Sequence, residues 1–291
     1  MKKLVLTTLI SLSLIAIKAQ EKPIAKIHYI FTHVNDTTKK DKQLRDEVVT
    51  YLGQLSSYYS SYSSTRAQEQ IEKMMNNADF DGNLVISRST SAIKDSYFLE
   101  PSKSSLMEVR RVASDNFLLK APFPKQNWDI HDDTKVIGGY TCQKATTTFG
   151  GRKYTAWFTM DLPFAFGPWK LHGLPGLILA ATDENSEVAF EYAGFDKLPD
   201  VVQITMGIPE NAILSTEEDV DKLVKAFESN REAYLNAKSG TRGAAVGIFV
   251  DGRKSGTSLG ADPNKIKSMT IKNDDDYKPS SVTNNPLELN P

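Results

Sequence analysis

The run KVIGGYTCQKATTTFGGRKYTAWFTMD, Lys135 to Asp161, decides the fold class. Its two long arms are rich in threonine, tyrosine and other residues that favour strands, and they flank Gly150-Gly151. A two-residue Gly-Gly link suits a type I′ hairpin, because both central positions of that turn need positive φ. The link also sets the register: Phe149 faces Arg152, Thr147 faces Tyr154, Lys144 faces Trp157 and Cys142 faces Thr159. One face of the ribbon then carries Cys142, Lys144, Thr146, Thr148, Lys153, Thr155 and Trp157. The other carries Ala145, Thr147, Phe149, Tyr154, Ala156 and Phe158, is more apolar, and is expected to turn toward the core.

Beyond the ribbon the chain runs through Pro163 into Gly167-Pro-Trp-Lys-Leu-His-Gly-Leu-Pro-Gly-Leu-Ile178, with three glycines and two prolines in twelve residues. That density fixes a backbone path. Leu177–Thr182 and Val188–Phe195 follow as a second hairpin around an acidic turn, Asp183 to Glu187. On the N-terminal side, Ile24–Val34 is β-branched and aromatic and reads as a strand. His28 and His33 lie five apart on it, so they point to opposite faces. Glu47–Ser60 reads as one less regular strand, Thr65–Ala78 as a short helix covering the sheet, and Leu84–Ser87, Ser96–Leu99 and Met107–Leu119 as short strands. Ser215–Asn236 carries a capping box, Ser215 with Glu218, and an apolar stripe through Val220, Leu223, Val224, Phe227, Tyr234 and Leu235, interrupted by Arg231, which predicts a helix. The fold expected is mainly β (α+β): an antiparallel open sheet or half-barrel with one or two covering helices.

Lys2 and Lys3 precede an apolar run from Leu4 to Ile17, so residues 1–20 read as an export signal with cleavage near Ala19. The run is too short for a membrane span, which takes roughly 20 apolar residues. Loss of Lys2, Lys3 and Lys18 leaves 32 basic against 36 acidic residues, from 35 against 36 in the full chain. A weakly acidic product is a poor partner for nucleic acid. Residues 21–238 are expected to form one β-rich domain, and 239–291 a loop-rich, loosely held C-terminal region with a possible strand at Ala245–Val250. Cys142 is the single cysteine, so no intrachain disulfide forms and a buried thiol is expected.

Candidate chemistry is sparse. Gly256-Thr-Ser-Leu-Gly260 matches the nucleophile-elbow string, but all four histidines precede it and Asp262-Pro263 is a poor helix start. Gly240–Gly247 fits no phosphate-binding frame, and Asp183, Glu184 and Glu187 lack the spacing of a calcium loop. His131, Cys142, Met160 and His172 are soft donors near one another in sequence, without a recognised ligand spacing. Asp132-Asp133 and Asp274–Asp276 fall in turns. No catalytic set, metal site or cofactor is expected from these. Trp157, Phe158, Phe164, Phe166 and Trp169 cluster around the hairpin end and the glycine-proline segment, either as core or as the lining of an apolar groove.

The residues Cys142-Gln-Lys-Ala145, Gly151-Arg152, Tyr154, Ala156-Trp-Phe-Thr159, Pro163, Gly167-Pro168 and Gly173-Leu174-Pro175-Gly176-Leu177-Ile178, in that order, resemble the GLPGLI family, as does the closing Asn285-Pro-Leu-Glu-Leu289. The resemblance implies an exported protein of a kind typical of Bacteroidota, in the periplasm or beyond, and it supplies no catalytic residue. The strand order from Tyr154 to Phe195 is similar to the open half-barrel of periplasmic lipoprotein carriers. The expectation is therefore an exported, non-enzymatic binding or carrier module for an apolar small molecule. The alternative is a structural or interaction protein docked on a cell-envelope partner.

Overall fold

The computed structural model describes residues 21–88, 92–113, 115–199, 206, 208–209, 211–230, 266–273 and 277–290. The export signal, the 256–260 and 240–247 glycine strings, Asp274–Asp276 and Ala245–Val250 lie outside the described residues.

In chain order the elements are β1 (Ala25–His33), β2 (Leu44–Leu52), β3 (Ser57–Ser61), α1 (Ser63–Met75), β4 (Asn83–Arg88), β5 (Asp95–Glu100), β6 (Ser105–Val112) and β7 (Asp115–Ala121). Then follow β8 (Asp129–Ile137), β9 (Tyr140–Phe149), β10 (Arg152–Thr159), β11 (Leu177–Asp183), β12 (Val188–Lys197), β13 (Ile213–Leu214), α2 (Glu217–Ser229) and β14 (Ser268–Asn273). Twelve strands form one sheet in the order β13-β7-β6-β5-β3-β2-β1-β12-β11-β10-β9-β8. All its pairings are antiparallel except β13 with β7. The fold is mainly β, with two α-helices among the described residues.

The β9–β10 hairpin has the expected register through Phe158 opposite Gln143, with Gly150 at φ 58° and Gly151 at φ 76°. Its expected core face is the buried one: Ala145, Tyr154 and Ala156 are wholly enclosed and Phe158 nearly so. Arg152 joins them there, a charged residue where the pattern alone suggests an apolar one.

Three expected strands are in fact pairs. Gly138 and Gly139, with φ 58° and 88°, make a second Gly-Gly turn that separates β8 from β9, so the arm before Gly150 folds back on itself. Gly53–Ser56 divides the Glu47–Ser60 segment into β2 and β3, which pair across it, and Met107–Leu119 is the hairpin of β6 and β7.

Helix α1 packs Ile71 and Met75 on Leu84 and Ile86, covering the small parallel sheet of β4 and β14 beside the main sheet. Helix α2 lays Val220 against Val112, Phe117 and Leu119. Its cap is Thr216, whose hydroxyl accepts from the Asp219 amide at 3.2 Å, one residue later than the Ser215 box expected. The expected helical residues after Asn230 lie outside the described residues.

The glycine-proline segment is a loop folded onto the core. Phe166 bridges His172, the Ile178 amide donates to the Phe166 carbonyl, and Leu171, Leu174, Leu177 and Ile178 are buried in the main hydrophobic cluster. Pro175 lies between two of these anchors, at a position where its missing N–H costs no strand pairing.

Residues 277–290, expected to be loosely held, are tied to the sheet. Asn35 Nδ2 donates to the carbonyls of Ser280 and Val282, and Asn285 Nδ2 donates to the Val34 carbonyl. Arg152 donates from Nε to the Leu287 carbonyl and from Nη2 to Asn285 and the Pro286 carbonyl. Backbone bonds hold it as well, from the Ser280 amide to the Lys42 carbonyl, from the Asn284 and Asn285 amides to the Asn35 carbonyl and from the Leu289 amide to the Gly150 carbonyl, without forming a strand ladder.

Candidate functional site

A cleft of about 760 Å³ opens where β1, β3, β5, β6 and β7 approach the β9–β10 turn, the glycine-proline loop and the C-terminal segment. Its aromatic wall includes Tyr59, Tyr97, Phe149 and Trp169. The Tyr59 and Tyr97 rings stack at 6.3 Å, and Trp169 meets Phe149 edge-on at 5.4 Å. Lys170 Nζ lies 5.2 Å from the centre of the Tyr97 ring and 5.4 Å from that of Trp169, and it pairs with Glu288 of the C-terminal segment. Trp169 holds φ 56°, a left-handed backbone that a bulky residue adopts only when its surroundings enforce it. Here the enforcing contacts are its buried ring and the hydrogen bond from the Leu171 amide to the Pro168 carbonyl.

Nine of the lining residues are charged, so the cleft is amphipathic, in contrast to the apolar groove expected. Strands β5 and β6 supply its acidic side: Asp95 pairs in register with Arg110, and Tyr97 with Glu108. Arg110 reaches Glu108 at 2.7 Å and Asp221 of α2 at 3.1 Å, with Asp95 and Glu217 just short of 4 Å. Burial, reinforced by the Glu108 charge, pushes the Asp95 carboxyl up to about 6.

Three polar atoms on lining residues are buried and have no protein partner among the described residues: Tyr59 Oη, Asn35 Oδ1 and His33 Nε2. Tyr59 is 1% exposed and Asn35 likewise 1%. Most buried polar atoms in folded proteins are satisfied, so three unsatisfied ones on one cleft leave hydrogen-bonding capacity for a ligand or ordered water.

Of the aromatic residues singled out from the sequence, Trp169 lines the cleft. Phe158 and Phe166 are core residues, Phe164 packs beside Phe195, and Trp157 lies under Lys135 at 4.2 Å on the opposite face of the ribbon from Phe158. Gly173 adopts φ 91° in open space, whereas Gly176 sits so close to β10 that a Cβ there would fall 2.1 Å from the Thr159 carbonyl oxygen. The family-motif residues are thus fixed by backbone geometry and by burial.

The soft donors have separate surroundings. His131 bonds Thr146 at 2.8 Å, His172 bonds the Pro124 carbonyl at 2.9 Å, Cys142 is buried and Met160 is 65% exposed. Among the described residues no three His, Cys, Asp or Glu side chains are grouped to hold a metal ion. Asp183 points inward to Arg152 at 2.8 Å, away from the solvated turn in which a calcium ligand was considered. Among the same residues no helix is long and apolar enough to cross a membrane.

Residues 59–217 match the family model described as N-glycanase peptide, N-terminal domain. The chain belongs to this family. That match corrects the GLPGLI resemblance, which rested on short motifs whose glycines answer to loop geometry. Two crystal structures of PNGF-II, in space groups P21 and C2, are similar to the chain at 13% and 14% identity, with TM-scores of 0.49 and 0.48. Each covers 70% of this chain, while the chain spans 33% of the length of either structure. No curated protein matches the chain. The matched span of the N-glycanase N-terminal family runs from Tyr59 to Glu217 and so includes β5, β6 and the glycine-proline loop, the elements that wall the cleft.

The sequence reading missed Tyr59, Tyr97, Asp95, Glu108 and Arg110. On adjacent strands a carboxylate, a tyrosine and an arginine look like solvated edge residues, and only the pairing of β5 with β6 brings them together.

Proposed function

We propose that this protein is an exported, non-catalytic module that binds glycan in the cleft between Tyr97 and Trp169. The observation that carries the reading is the combination of aromatic rings with the partnerless Tyr59 Oη and Asn35 Oδ1. Sugars present apolar C–H faces that stack on aromatic rings and hydroxyls that both donate and accept. Membership of a family described as the N-terminal domain of an N-glycanase supports the same substrate class. Export rests on the apolar run after Lys2-Lys3.

Titration calorimetry of residues 21–291 with free N-glycans released from a glycoprotein tests the proposal. Saturable binding at or below millimolar Kd, lost at least tenfold in Tyr97→Ala with unchanged melting, is the expected result. No heat from any glycan, or a Tyr97→Ala variant that binds as well as the parent, would overturn it.

The docking alternative has its own observation. Strand β8 ends the sheet, and Ile130 and Val136 on it are 48% and 70% exposed, which leaves a free edge for a partner strand. A stoichiometric envelope protein crosslinked through β8 in glycan-free samples would favour it.

A further inference from the structure

The cleft's charges do not cancel evenly. Arg110 is engaged by Glu108 and by Asp221 and Glu217 of α2, and Lys170 by Glu288. Lys94, Lys120 and Lys125 also line the cleft, are exposed, and have no carboxylate within ion-pairing distance among the described residues. They come from three places: the lead-in to β5, the end of β7 and the proline-flanked segment after it. The fold, and not a run of sequence, brings these three lysines to the lining of one cleft.

Asp95, the remaining acid on that side, is in contact range of Arg110 and carries a carboxyl whose ionisation is disfavoured by burial. It opposes the lysines only weakly in mildly acidic surroundings. Ammonium groups without ion-pair partners on the lining of a concave, partly apolar site concentrate anions and strengthen their binding in low salt.

We infer that the preferred ligand is an anionic saccharide, its sugar ring on Tyr97 and Trp169 and its carboxylate or sulfate group held by Lys94, Lys120 and Lys125. The inference rests on the glycan-binding reading of the same cleft and adds the ligand's charge.

Calorimetry at 20 mM and 300 mM NaCl with 6′-sialyllactose, lactose 6′-sulfate and lactose, on the parent and on the triple variant Lys94→Gln, Lys120→Gln, Lys125→Gln, tests it. The expected result is at least tenfold tighter binding of one or both anionic sugars than of lactose at low salt. That advantage should shrink at high salt and disappear in the triple variant, while lactose binding and melting stay unchanged. The two anionic sugars tell a carboxylate preference from a sulfate one. Equal binding of lactose and both anions, or a triple variant that keeps the preference, overturns the inference and leaves the glycan reading standing. Absence of binding by all three sugars and by neutral N-glycans overturns both.

Discussion

Two parts of the molecule wall the cleft, the β9–β10 turn with the glycine-proline loop and the C-terminal segment on one hand and strands β3, β5, β6 and β7 on the other, and they contribute different things. The first is held by glycines, by burial of the glycine-proline loop and by Arg152, which is 4% exposed and bonds Asp183, Asn285 and two carbonyls of the C-terminal segment. The second carries the ionic network of Asp95, Glu108 and Arg110 with α2. On the first side Arg152 and Asp183 are buried and satisfy each other at 2.8 Å. On the other, the charges are partly solvated, so they are worth less to stability and more to a ligand. The contrast separates residues that make the fold from residues that could make the function.

The largest break in that contrast is expected at Arg152. Arg152→Met strands Asp183, which is 4% exposed, and releases the C-terminal segment that walls the cleft. Breaking a buried pair from one side costs about 3–5 kcal/mol. Urea denaturation should show a loss of that size. A loss below about 1 kcal/mol would mean that Asp183 finds other partners and that the first side does not depend on this residue.

Two glycines of the loop grade the same idea. Gly176→Ala pushes a methyl into the backbone of β10, 2.1 Å from an oxygen that cannot rotate away, and should cost about 2–3 kcal/mol. Gly173→Ala meets no atom but inherits φ 91°, at about 1 kcal/mol. Equal costs for the two, by thermal or urea melts, would show that crowding against β10 is not what the loop guards against.

These residues also show how much was legible. The Gly150-Gly151 register followed from turn stereochemistry alone, since positive φ at two consecutive positions leaves little choice. The identical signal at Gly138-Gly139 was missed because it lies inside a continuous β-favouring run, where composition outweighs two residues. Arg152 was paired with Phe149 by the turn register, but nothing local says that Asp183, Asn285 and Leu287 converge on it. The cleft was least legible. Trp169 was found by its neighbours in sequence, whereas Tyr59 and Tyr97 meet only through the pairing of β3 with β5. The family was misread for a related reason: short glycine motifs report a backbone path, which unrelated chains can share.

A smaller effect is expected at the cap of α2, which buttresses the solvated side. Thr216→Ala removes the acceptor for the Asp219 amide and should cost about 1 kcal/mol, the usual value of such a cap. Hydrogen exchange would show faster opening of Glu217–Ser229 with the β9–β10 hairpin unaffected. Equal acceleration in both would mean that the helix and hairpin unfold as one unit.

The smallest effect is expected from Asp95→Asn, and it is a change of slope with pH. The parent's Asp95 titrates near 6 in the folded protein against 3.8 for a free side chain, so its ionised form is the one the fold disfavours. Below 3.8 both states hold the proton and no penalty exists. Between 3.8 and about 6 the folded state keeps a proton that the unfolded chain has lost, so stability falls as pH rises through that window and stays lower above it. Buried His28, pushed down to about 4 by burial, with His33 and His172 lowered by the same cause, acts in the opposite sense: the fold loses stability as pH drops below 6.5. The Asp95 contribution is therefore read as the difference between parent and variant at each pH, in which the histidines cancel. Because its side chain is 34% exposed, water screens most of the penalty, and the variant should gain only about a few tenths of a kcal/mol at pH 7 over its relative stability at pH 4. A difference that stays flat from pH 4 to 7 would show that Arg110 fully compensates Asp95 and that the cleft side is as tightly satisfied as the side built around Arg152.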